Sequence, residues 1–95
     1  MSKLTVVAKI VAKDASLEDV KLELLKIIEP TRKEAGCIDY YLHQDNENPN
    51  VFVFYENWKN ESELNKHMET EHFKALVAAI GGITEEISIQ KLTQL

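Results

Sequence analysis

The order of apolar segments predicts an α+β fold of the ferredoxin-like type, β-α-β-β-α-β, built on a four-stranded antiparallel sheet. Three observations carry this. Strand-like runs fall at Leu4–Ala12, 37–45, Val51–Trp58 and 83–92. Helical stripes fill the intervals between the first and second runs and between the third and fourth. Only a short turn, 46–50 (NENPN), joins the middle two runs, as a hairpin requires.

Leu4–Ala12 (LTVVAKIVA) places Leu4, Val6, Ala8 and Ile10 on one face. The other face, Thr5, Val7, Lys9 and Val11, is also largely apolar, which marks a central strand. Ser16 followed by Asp19 resembles a capping box with the shorter acid. Leu17, Val20, Leu24, Ile27 and Ile28 then share one helical stripe. Pro30 predicts a kink or a fresh turn, and Gly36 a left-handed helix end. On the third strand Val51, Val53 and Tyr55 point one way, Phe52, Phe54 and Trp58 the other. Asn60 or Ser62 can cap a second helix through about Thr70, and 72–80 (HFKALVAAI) continues helically, with a break admitted at 69–71. Gly81-Gly82 stops that helix. The last strand then carries Ile83, Ile87 and Ile89 on one face. No repeat or linker interrupts the chain, so residues 1–95 are expected to form a single domain.

Two helices can cover only one face of such a sheet, and the second face normally turns polar residues to water. Here the first three strands are apolar on both sides. A homodimer packed sheet against sheet is the expected solution.

A chain of 95 residues with 44% hydrophobic content has room for one modest core. Its formal net charge of -5, with acidic residues spread along the chain, disfavours nucleic acid and anionic membrane as partners. A single cysteine, Cys37, excludes an internal disulfide and reads as a small buried hydrophobe. No apolar leader follows Met1, and the apolar runs are too short to span a bilayer. A cytoplasmic setting is the expectation.

The residues able to carry chemistry gather after the aromatic strand. His67 and His72 are candidates for a general base, because imidazole titrates near neutrality. The pattern does not separate the two, and a histidine at a helix surface is the plainer reading of either. A metal site is not expected. On a continuous helix an i,i+5 pair sits about 140° apart, and no cysteine or third histidine lies at a ligand-like spacing. Tyr55 and Trp58 can each hydrogen-bond a ligand oxygen, while Phe54 is better suited to packing. His43 and Tyr41 share a face of the second strand, suited to a cavity wall or, more plainly, a dimer seam. Glu29 and Arg32 read as a surface ion pair. There is no glycine-rich phosphate loop, dinucleotide fingerprint or nucleophile elbow, so an enzyme here would lack a nucleotide cofactor.

Taken together, several segments resemble the antibiotic-biosynthesis monooxygenase superfamily, particularly its small quinol-monooxygenase-like members. They are Glu29-Pro30-Thr31-Arg32, Gly36-Cys37, Tyr40-Tyr41-Leu42-His43-Gln44-Asp45, Phe54-Tyr55-Glu56-Asn57-Trp58, then Ser62, Leu64, His67 and His72-Phe73. The resemblance implies a dimeric α+β barrel with a cavity between sheet and helices. It also implies oxygenation of small quinol or anthrone-like substrates by O₂ with no flavin, haem or metal. On that reading His67 or His72 is the base and Tyr55 and Trp58 orient the substrate, with Phe54 and His43 as further substrate-binding candidates.

The superfamily is functionally mixed. Its haem-degrading members use a first-strand asparagine and a later histidine, and this chain has neither at those places. A branch acting on phosphorylated sugars keeps the same histidine pair and would need cations such as Lys59, Lys66 or Lys74 near the pocket. The alternatives to a monooxygenase are thus a non-oxygen enzyme, such as an isomerase of a small phosphorylated metabolite, and a non-catalytic ligand-binding dimer.

Overall fold

A computed structural model describes residues 3–95. Strand β1 (Leu4–Ala12) leads through a 3-10 turn (Asp14–Ser16) into α1 (Leu17–Arg32). Strands β2 (Cys37–Gln44) and β3 (Val51–Trp58) form the hairpin. Helices α2 (Glu61–Met68) and α3 (Glu71–Ile80) precede β4 (Thr84–Leu92). The sheet order is β2-β3-β1-β4 and every neighbouring pair is antiparallel. This is the ferredoxin-like arrangement expected from the segment order.

The hairpin turn is built by Asp45, whose Oδ1 accepts from the backbone N–H groups of Glu47 at 2.7 Å and Asn48 at 3.1 Å. The α1 stripe buries Val20, Leu24 and Ile27 against the inner sheet face, where Val6, Ile10, Phe52, Phe54 and Trp58 are also buried. Each large apolar side chain removed from water in this way contributes about 1.5–3 kcal/mol.

Two local expectations, at Ser16 and Gly36, change, and the structure resolves two that the sequence left open. Ser16 makes no capping hydrogen bond, because the chain enters α1 from the 3-10 turn with Ser16 at φ -118, ψ 12, away from the extended backbone a capping side chain needs. Pro30 sits inside α1, and the helix runs only to Arg32 before its last turn tightens, Glu34 N–H donating to Thr31 O at 3.0 Å. Gly36 has no positive φ. It is glycine because a Cβ there would overlap Cβ and Cγ of Glu63, so α2 closes directly onto the α1–β2 connection. The break admitted at 69–71 is present, and it divides the second helical region in two. Asn60 Oδ1 caps α2 by accepting from Glu63 N–H at 3.0 Å, and Thr70 Oγ1 caps a separate α3 by accepting from Phe73 N–H at 3.2 Å.

The outer sheet face carries Val7, Val11, Val51 and Val53, half-buried, with Tyr41 and Tyr55 exposed. A polar knot crosses it. Thr5 Oγ1 donates to Asn57 Oδ1 at 2.6 Å, and Asn57 Nδ2 donates to Asp39 Oδ2 at 3.0 Å and Tyr55 Oη at 3.1 Å. On the inner face, β4 leaves Ile87 and Ile89 exposed beside Val77 of α3. Among the described residues no helix is long and apolar enough to cross a membrane.

Candidate active site

A cavity of about 60 Å³ lies between the inner sheet face and helices α2 and α3. Phe54, Leu64, Phe73 and Ile80 contribute to its apolar wall, and exposed Val77, Ile87 and Ile89 mark its mouth. Of its lining residues, only Glu56, His67 and Tyr40 carry ionisable side chains.

Glu56 points inward from β3 and is 5% exposed. Trp58, two residues along the same strand face, is fully buried and donates its Nε1–H to Glu56 Oε1 at 2.8 Å. Burial raises the Glu56 carboxyl to about 7, against the pull of the Trp58 hydrogen bond and with the push of the Glu34 charge. A carboxyl group poised near neutrality in an apolar wall can donate or accept a proton.

His67 is delivered by α2. Glu63 and His67 are four residues apart on that helix, so the close approach of Glu63 to Gly36 also sets His67 over Glu34. His67 Nδ1 lies 2.7 Å from Glu34 Oε2. The ring packs among Trp58, Tyr40 and Phe73, with centroid separations of 4.7, 5.8 and 5.1 Å. Burial lowers its pKa, partly offset by the Glu34 hydrogen bond. Because the Glu34 carboxylate accepts, Nδ1 carries the proton of this contact, and Nε2 is the ring nitrogen left without a hydrogen-bond partner among the described residues.

His72, the first turn of α3, sends Nε2 to the same Glu34 oxygen at 2.6 Å. The capped break at Thr70 is what allows this, with the two imidazole centroids 6.0 Å apart. The 140° separation expected of a continuous helix therefore does not apply. His72 does not line the central cavity; it borders a surface hollow with Glu23, Lys26 and Ile27 of α1.

The description of the family model that matches residues 3–79 is Antibiotic biosynthesis monooxygenase. The chain belongs to this family. Among the family's relatives, the Bacillus subtilis (strain 168) protein named "Putative monooxygenase YcnE" is 34% identical over 71 residues, 75% of each chain. An uncharacterized Synechocystis protein, sll1783, is 42% identical over 50 residues, 53% of this chain and 34% of its own, so this chain spans only about a third of that relative. The crystal structure of PA3566 from Pseudomonas aeruginosa superposes with a TM-score of 0.96 at 33% identity, covering 100% of this chain and 96% of that one.

Within this family fold, the residues singled out in the sequence separate into three places. Phe54 and His67 line the cavity. Trp58 stands behind it, its N–H already committed to Glu56 rather than free for a ligand. Tyr55 and His43 are exposed on the outer sheet face, because strand alternation turns them away from the helices, and neither lines the cavity. Lys59, Lys66 and Lys74 are exposed and none lines the cavity.

Sequence reasoning gave no role to Glu34 and no chemistry to Glu56. Glu56 was visible as an acid sharing a face with Phe54 and Trp58 on an otherwise apolar strand. Glu34 had no comparable local signal, since its partners lie 33 and 38 residues away. The Cys37 thiol is pushed up to about 11 by burial and the Glu34 charge, as befits a packed, protonated cysteine.

Proposed function

We propose that this protein is a cofactor-independent monooxygenase of small quinol or anthrone-like phenolics. The observation carrying this is the convergence of His67 and Glu56 on one apolar cavity. His67, held by Glu34, takes the substrate's acidic proton at Nε2. The electron-rich anion then reduces O₂ directly. Glu56, in its protonated form, donates a hydrogen bond to the substrate oxygen, and the greasy wall keeps water from the anion. The balance closes without a further reductant: a hydroquinone plus O₂ yields a hydroxyquinone plus water, and an anthrone plus O₂ yields an anthraquinone plus water.

The absence of lysine and arginine from the lining argues against a phosphorylated substrate. A second copy of the chain covers the outer face, where Val7, Val11, Val51 and Val53 meet their counterparts. Turnover of 1,4-dihydroxynaphthalene and anthrone under ¹⁸O₂ tests the reaction. One labelled oxygen in the organic product and one in water is the expected result. A product free of label would remove the oxygenase reading and favour a non-oxygen reaction or simple binding.

A further inference from the structure

We propose that Glu34, His67 and His72 form a binding site for a borderline divalent cation of the zinc type. Glu34 Oε2, His67 Nδ1 and His72 Nε2 all lie within 4.8 Å of one another. They are brought together from three segments: the α1–β2 connection, the end of α2 and the start of α3. Two imidazoles and a carboxylate are a common donor set for such ions. The carboxylate oxygen contacts both nitrogens, at 2.7 and 2.6 Å. Zinc–ligand bonds of about 2.0–2.2 Å place tetrahedral ligands about 3.3 Å apart, so those two contacts need widen by only about 0.7 Å.

Two further features favour a cation. The ion-pair partners of Glu34 among the described residues are the two imidazoles, and no lysine or arginine pairs with it there. The ligands are also graded toward solvent, with side-chain exposures of 3% for His67, 15% for Glu34 and 26% for His72. Three protein ligands leave a fourth position, reached from the His72 side. Aromatic packing of Tyr40, Trp58 and Phe73 fixes the His67 ring, as a stable ligand requires.

The ion would sit behind the cavity rather than in it. On the monooxygenase reading, this has a consequence. Nδ1 bound to metal leaves the proton on Nε2, so the nitrogen needed as a base becomes a donor. The loaded protein is then inactive, and the metal acts as an inhibitor.

Calorimetric titration of the metal-stripped full chain with ZnSO₄ tests the site without any substrate. One ion per chain is expected, with Glu34→Gln and His72→Gln each weakening affinity at least about tenfold and His43→Gln leaving it unchanged. If either variant fails to fold, ¹⁵N-histidine spectra of the wild-type chain decide: Zn²⁺ must shift the resonances of His67 and His72 and not those of His43. No heat and no shift, or unweakened binding by folded Glu34→Gln, overturns the site. Either result leaves the oxygenase reading to be judged by its own labelling experiment.

Discussion

His67 Nδ1 lies 2.7 Å from Glu34 Oε2, and this contact gives the two nitrogens of the ring different tasks. One is anchored, and on the proposed reading the other takes the substrate's proton, His67 being a residue of the cavity wall. Glu34→Gln keeps the size of the side chain but loses its charge and one acceptor lobe. We expect kcat with 1,4-dihydroxynaphthalene to fall about tenfold to a hundredfold, with KM little changed. An equal loss in both would place Glu34 in substrate binding instead.

Glu56 predicts a pH dependence of stability. Its carboxyl rises from 4.5 to about 7 on folding, so between those values the folded chain holds a proton that the unfolded chain releases. The stabilisation is therefore complete below about pH 4.5 and is lost as the pH rises to about 7, by at most about 3 kcal/mol. Glu56→Gln preserves the acceptor for Trp58 and removes the titration. Thermal melts from pH 5 to 8 are expected to show the wild-type Tm falling relative to the variant. A constant difference across that range would contradict the assignment.

Gly36→Ala tests how α2 is seated. The added methyl overlaps the Glu63 side chain at its β and γ carbons, so the helix must shift or the connection must bend. A loss of about 1–3 kcal/mol in denaturant unfolding is expected. Pairing it with Glu63→Gly opens the space and should recover part of that loss. No destabilisation in the single variant would mean the approach is looser than described.

Thr70 separates the two histidine-bearing helices. Thr70→Ala removes the hydroxyl that caps α3 and costs about 1 kcal/mol. Activity and Zn²⁺ affinity should both decline, because the break holds His67 and His72 on one carboxylate. Unchanged behaviour in both assays would show that the break persists without its cap.

Much of the fold was legible because strand alternation and helix stripes are local properties of the chain. The division of β3 into Val51-Val53-Tyr55 and Phe52-Phe54-Trp58 follows from period two alone, and the structure keeps it. The site was less legible. Tyr55 is aromatic and adjacent to Glu56, yet one step of the pleat sends it to the opposite face. Gly36 looked like a helix end because its contact with Glu63 is tertiary. Glu34 was invisible for the same reason: its two imidazole contacts exist only once α2 and α3 fold back over the α1–β2 connection.

Oxygen uptake by the metal-stripped chain over 1,4-dihydroxynaphthalene, against the autoxidation blank, decides whether His67 drives oxygenation without a cofactor. Uptake above the blank is expected, falling at least about a hundredfold in His67→Ala. Equal uptake by wild type and folded His67→Ala, or none above the blank in either, would contradict it.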